Sequence, residues 1–138
     1  MGKTLIFSDV DYSVNAIANS DIVDDISYDN AQLKAMITPS ATGKYVNSSG
    51  GISSSGDLAY IVIDVSRYSS IIISGYNGTT VGGFFSSSVI NSSNHISAVT
   101  RSSAGSYTNR TVAIPDGATH FAWNLNNNYN TYAASLIV

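Results

Sequence analysis

Residues 58–65, Leu58-Ala59-Tyr60-Ile61-Val62-Ile63-Asp64-Val65, constrain the fold of this chain more than any other stretch. β-Branched side chains crowd the run, and apolar residues fall on both of its faces. A strand in the middle of a sheet accommodates that pattern, whereas an edge strand does not. The period of two continues elsewhere. Ile71-Ile72-Ile73 resumes it, and Asn77-Gly78 then supplies a turn in which both residues tolerate positive φ. Residues 81–90 read as a strand with Phe84-Phe85 at its centre, and Gly82-Gly83 inside it signals a bulge or a close backbone approach.

Further strands are expected over residues 95–100, 107–114, 118–125 and 132–138. Pro115-Asp116-Gly117 separates two of them, with Pro presetting φ and Gly taking the left-handed position. Between 118 and 125 the alternation is clear. Thr119, Phe121, Trp123 and Leu125 share one face, and His120, Ala122 and Asn124 share the other. The first third is less regular. Residues 3–8 suit a strand, and Asp29 or Asn30 suits the cap of a short helix with Leu33, Met36 and Ile37 on one stripe. Residues 13–27 are expected to cross the surface as an acidic loop, and the Ser/Gly-rich stretch 48–55 to form a mobile loop. Many short strands with little helix define an all-β chain: an antiparallel β-sandwich of jelly-roll type, with a short helix in the N-terminal third. Residues 1–40 are set apart as an N-terminal attachment segment, part of the sandwich or appended to it, and 41–138 as the sandwich domain.

Charge is scarce. Only 11% of residues are Asp, Glu, Lys or Arg, while 43% are hydrophobic. An ordinary soluble domain carries about a quarter charged residues. Hydroxyls, amides and phenols must therefore solvate the surface, a skin suited to neutral polyols or to sister subunits. The net charge of −3, with six scattered Lys and Arg, excludes the basic patch that nucleic acid requires. The chain has no cysteine, hence no disulfide framework and no thiolate chemistry. No apolar run approaches the roughly 20 residues of a membrane helix. Asp9 and Asp11 end the run after Lys3 too early for a secretory signal.

The stretch from Gly43 onward resembles small β-sandwich modules of phage tail, fibre and virion proteins from gut bacteria. The likeness rests on Gly43-Lys44-Tyr45-Val46, on Tyr60-Ile61-Val62-Ile63-Asp64-Val65-Ser66-Arg67-Tyr68, on Gly83-Phe84-Phe85 and on Val112-Ala113-Ile114-Pro115-Asp116-Gly117-Ala118. The opening, Gly2-Lys3-Thr4-Leu5-Ile6-Phe7 with Asp11-Tyr12-Ser13-Val14-Asn15-Ala16-Ile17, is also similar to such proteins. Arg67 stands where that family usually has glycine. The resemblance implies a carbohydrate-binding-module-like jelly roll in a virion, reaching the extracellular space by host lysis rather than through a signal peptide. The neutral, hydroxyl- and amide-rich skin makes the expected partners the chain itself as a homo-oligomer, with a trimer favoured, other virion proteins through the less sandwich-like N-terminal segment, and host polysaccharide. Neither nucleic acid nor membrane insertion is implied.

A sugar platform needs an exposed ring flanked by amides or hydroxyls. Trp123, Tyr129 and Tyr132 lie close in sequence to Asn126 and Asn128, which makes these five the candidate glycan-binding residues. Trp123 shares a face with Phe121 and Leu125, which favours the core for it. Asp9, Asp11, Asp24 and Asp25 offer oxygens for a structural calcium but lack the spacing of an EF-hand, so turn capping is favoured. No cofactor is expected. His95 and His120 stand on separate strands, which argues against a shared metal. Nothing marks a catalytic centre: the Gly-x-Ser-x-Gly elbow is absent, and Asp64 and Asp116 sit at strand-end turns where Asp is common. A non-enzymatic adhesion module is therefore expected. A free-standing carbohydrate-binding module, or less favourably a polysaccharide hydrolase, is the alternative.

Overall fold

The computed structural model describes residues 25–75, 80–101, 108–126 and 131–138. The described residues form two antiparallel sheets with one short helix. The strands are β1 (Ile26–Tyr28), β2 (Thr42–Val46), β3 (Ile52–Asp64), β4 (Ser70–Ser74), β5 (Thr80–Phe85), β6 (His95–Thr100), β7 (Arg110–Ala113), β8 (His120–Asn126) and β9 (Ala133–Ile137). Helix α1 (Asn30–Ala35) and a 3-10 turn (Pro39–Ala41) lie between β1 and β2.

The 4-stranded sheet runs β1-β9-β4-β7 and the 5-stranded sheet runs β2-β3-β8-β5-β6. The pairs β1·β9, β3·β8, β4·β7 and β5·β6 are all antiparallel. Leaving β2 aside, the first strand pairs the last and the second pairs the next to last, and so on inward. The chain is thus one long two-stranded ribbon rolled up, with successive segments assigned to alternate sheets. The contacts β4·β9 and β5·β8 complete each sheet. That is the jelly roll expected from the strand pattern.

The core lies between the sheets. Ile61, Ile63, Phe121, Trp123, Leu125 and Phe84 come from one sheet, and Ile71, Ile73, Ala134 and Leu136 from the other. The run at 58–65 behaves as its composition demands, because beyond Ala59 its odd positions Ile61 and Ile63 are buried while Tyr60 and Val62 are only half-buried. Gly82 marks a close approach. A Cβ there would fall 2.3 Å from the Ala122 carbonyl oxygen, so no larger residue fits without moving backbone.

Helix α1 forms where its cap predicts. The Asp29 carboxylate accepts from the Gln32 amide at 2.9 Å, and the Gln32 side chain accepts from the Asp29 amide at 2.9 Å, a reciprocal capping box. Leu33 is fully buried in the core, with Met36 and Ile37 packed against it. Residues 25–40 are therefore integral to the sandwich: among the described residues β1 is at one edge of the 4-stranded sheet, and Leu33 of α1 enters the core. The strand expected over 3–8 and most of the acidic loop expected over 13–27 lie outside the described residues, although its end, Ile26 and Ser27, belongs to β1.

Two expectations change. The strand expected over 81–90 ends at Phe85. Residues 86–94 form a connection instead, closed by Ser86 N–H donating to the Asn94 carbonyl at 2.9 Å and by Asn94 Nδ2 donating to the Val89 carbonyl at 2.8 Å. The loop expected over 48–55 is a tight hairpin turn followed by the start of β3. Asn47 organises it: its Oδ1 accepts from the Ser49 and Gly51 amides at 3.0 and 3.1 Å, and its Nδ2 donates to Ser53 Oγ at 3.0 Å. Composition suggested flexibility there, but one asparagine satisfies the backbone that composition left open.

Candidate functional site

The outer face of the 5-stranded sheet is built around Asn124. The even positions of β8 point away from the sandwich interior, yet Asn124 is completely buried. Its cover is the β2–β3 hairpin, which folds back over this face. Asn124 Oδ1 accepts from the Val46 amide at 2.8 Å, and its Nδ2 donates to the Val46 carbonyl at 2.8 Å and to the Thr80 carbonyl at 2.9 Å. The side-chain amide thus pairs with Val46 as a neighbouring strand residue would. Below it, Val46, Phe85 and Ala122 form a small second core, with Tyr60, Val62 and Ile90 packed around it. Farther along, the hairpin turn sits on β6: a Cβ on Gly50 would fall 2.3 Å from the His95 Cβ, and Gly50 has φ of +84°. Only glycine meets both conditions.

The hairpin covers part of this face and leaves a groove along β3. The groove has a volume of about 310 Å³ and is lined by Tyr60, Val62, Met36, Thr38, Ser40, Ala41, Ser88 and Ile90, with Ile61 beneath. That size is at the small end of ligand-binding cavities. The segment from α1 through the 3-10 turn contributes Met36, Thr38, Ser40 and Ala41, and the β5–β6 connection contributes Ser88 and Ile90. Among the described residues no charged side chain lines it. Tyr60 is half-buried, and among the described residues its hydroxyl takes no hydrogen-bond partner. Burial pushes its phenol above the ordinary tyrosine range, so it stays protonated at neutral pH and can both donate and accept. The groove combines an aromatic ring, aliphatic side chains and neutral hydroxyls.

Of the residues read from the sequence as a sugar platform, Trp123 and Tyr132 belong to the core. Trp123 is 0% exposed and Tyr132 is 3% exposed, and their rings meet edge to face at 5.5 Å. Trp123 lies on the inward face of β8 with Phe121 and Leu125, in the main core. Tyr132 is held beneath Gly75, where a Cβ would come 2.9 Å from its ring. A ring without an open face cannot stack on a sugar. Asn126, half-buried at the end of β8, donates its amide to the Tyr132 hydroxyl at 2.8 Å. Asn128 and Tyr129 lie outside the described residues, as do Asp9, Asp11 and Asp24 of the carboxylates considered for calcium.

His95 and His120 stand in one cross-strand row. Asp64 pairs with His120, His120 with Phe85, and Phe85 with His95. Phe85 separates the two imidazoles, and its ring centroid is 5.3 Å from that of His95. Among the described residues no cluster of three or more His, Cys, Asp or Glu is arranged to hold a metal ion. The Asp64 carboxylate is held below the ordinary aspartate range. The Ser66 hydroxyl, donating at 2.7 Å, is the largest cause, followed by the Ser66 amide at 2.9 Å; partial burial works against them, and the nearby charges of His120 and Arg67 help less.

Sequence reasoning passed over the groove because Tyr60 reads as one more residue of a central strand. The usable signal was its alternation with Ala59 and Ile61, which places it on the outer face. Nothing local says that residues 36–41 and 88–90 come to lie beside it. Comparison of the chain with protein-family models, with curated proteins and with solved structures gives no match.

Proposed function

We propose that this protein is a non-catalytic adhesion module of a bacteriophage virion, in a fibre, a tail or a capsid decoration, and that its groove along β3 holds one ring of a neutral host-surface glycan. The observation that carries the binding reading is Tyr60, an aromatic ring whose hydroxyl has no partner among the described residues, in a groove that those residues line with the hydroxyls of Thr38, Ser40 and Ser88 and with no charge. An apolar ring face and several two-way hydroxyls are what a pyranose requires, with its C–H face on one side and its hydroxyls on the others. The scarcity of charge across the chain supports a neutral ligand and packing against sister subunits. The resemblance of the stretch from Gly43 onward to virion modules supports the setting.

A glycan array followed by titration calorimetry tests the site. The wild type should bind at least one neutral oligosaccharide, and Tyr60→Ala should weaken that binding by about tenfold or more, the scale of losing an aromatic contact together with its hydrogen bond. Unchanged affinity in Tyr60→Ala would remove the groove from the proposal. Light scattering addresses assembly: a trimer supports the fibre-type reading, and a strict monomer favours a free-standing carbohydrate-binding module.

A further inference from the structure

A second cleft opens beyond the end of β3, where β1, β9 and the β3–β4 turn meet. It has a volume of about 230 Å³ and is lined by Ile26, Tyr28, Asp64, Arg67, Tyr68 and Leu136. Its chemistry differs from that of the Tyr60 groove. Ile26 and Leu136 supply an apolar base, and two tyrosines packed against the core rim supply rings. Its polar groups are charged and incompletely used. Both hydrogen bonds to Asp64 fall on Oδ1, from the Ser66 amide and hydroxyl, which leaves Oδ2 without a partner among the described residues. Arg67 is exposed, and among the described residues no hydrogen bond or ion pair engages its guanidinium. Neither Tyr28 nor Tyr68 uses its hydroxyl within the described residues.

We infer that this cleft is a second, separate ligand site for a hydroxylated sugar ring. Asp64 Oδ2 accepts from one hydroxyl, the Arg67 guanidinium donates to another, and the ring's C–H face lies against Tyr28 or Tyr68. One open acceptor beside one open donor fork, with opposite charges, suits an uncharged diol better than an anion, which Asp64 would repel, or a cation, which Arg67 would repel. The inference stands apart from the Tyr60 groove and does not require it. Two sites on one chain would let a polysaccharide engage the module twice and bind more tightly than either site allows alone.

The test uses the full chain, isotope-labelled, with amide chemical shifts followed during titration with the neutral oligosaccharides of an array, each to about 50 mM. The wild type should show shifts at residues 66–69. In Arg67→Ala the apparent affinity read from those amides should fall by about tenfold or more, the scale of a lost charge-assisted hydrogen bond. Amides at residues 60–62 report the groove in the same spectra. Tyr60→Ala should silence them and leave residues 66–69 responsive. Absence of any shift at 66–69 across the panel overturns the second site, as does a response there that Arg67→Ala leaves unchanged. A response at 66–69 without one at 60–62 sinks the groove and keeps this site. Arg67 is exposed and packs nothing in the core, so Arg67→Ala should fold; retention of its remaining amide shifts verifies that. Asp64→Asn gives an independent second variant, which should weaken the same response.

Discussion

Asn124→Ala removes the clasp that holds the β2–β3 hairpin on the outer face of its sheet. Three hydrogen bonds go with the side chain: those with the Val46 amide, the Val46 carbonyl and the Thr80 carbonyl. Val46 and Asn124 are both 0% exposed, so water cannot replace the lost partners while the hairpin stays down. A buried polar group left unsatisfied costs about 1–3 kcal/mol. Two such groups on Val46, with relief from a hairpin that partly lifts, give a loss of about 3–5 kcal/mol. That is a large share of the 5–15 kcal/mol that holds typical domains together. For a chain of this length it corresponds to a drop in Tm of about 10–17 °C. Urea unfolding gives the free energy, and hydrogen exchange at the Val46 amide shows where it is lost. Exchange there should become fast while Ile61 and Ile63, in the main core, keep most of their protection. Asn124→Asp should be at least as damaging at neutral pH, because a carboxylate can still accept from the Val46 amide but faces two carbonyl oxygens. A loss below about 1 kcal/mol, or a Val46 amide as protected as in the wild type, would refute the clasp.

Two further outcomes follow from the geometry. Gly82→Ala forces a Cβ to within 2.3 Å of the Ala122 carbonyl and should destabilise by more than about 3 kcal/mol or abolish folding, whereas Gly56→Ala, with nothing within 4 Å, should stay within about 0.5 kcal/mol of the wild type in the same melts. The acid limb of stability should depend on Asp64: its carboxyl is held below its ordinary range in the folded chain, so its contribution is present above about pH 4 and disappears as the pH falls through the folded-state value. Asp64→Asn should flatten that part of the pH–stability curve, and an unaltered acid slope would show that the Ser66 hydrogen bonds do not favour the ionised form.

The fold was legible where local chemistry and tertiary demand agree. Asp29, one of two cap candidates, and the stripe of Leu33, Met36 and Ile37 announced α1, Pro115-Asp116-Gly117 announced the turn before β8, and the alternation through Phe121, Trp123 and Leu125 announced which face is core. The site was far less legible. Trp123 and Tyr132 have the composition of a sugar platform, but both rings are used in packing, one from the middle strand of its sheet and the other beneath Gly75. At 81–90 the apolar residues carried the strand reading too far, because nothing in Ser86-Ser87-Ser88-Val89-Ile90 shows that Asn94 will close a loop back onto Ser86.

Alternation of apolar residues with a period of two, interrupted by turn formers, determined that this chain lies in sheets and which side chains face inward, because that pattern follows from pleat geometry alone. Which strands pair, and that the β2–β3 hairpin lies down across the sheet to leave a groove at Tyr60, was decided only when the ribbon rolled up. The clasp joins Val46 to Asn124, 78 residues later in the chain, and the groove joins Thr38 to Ser88. Contacts between such distant positions are selected by the packing of the whole sandwich, and no local pattern encodes them.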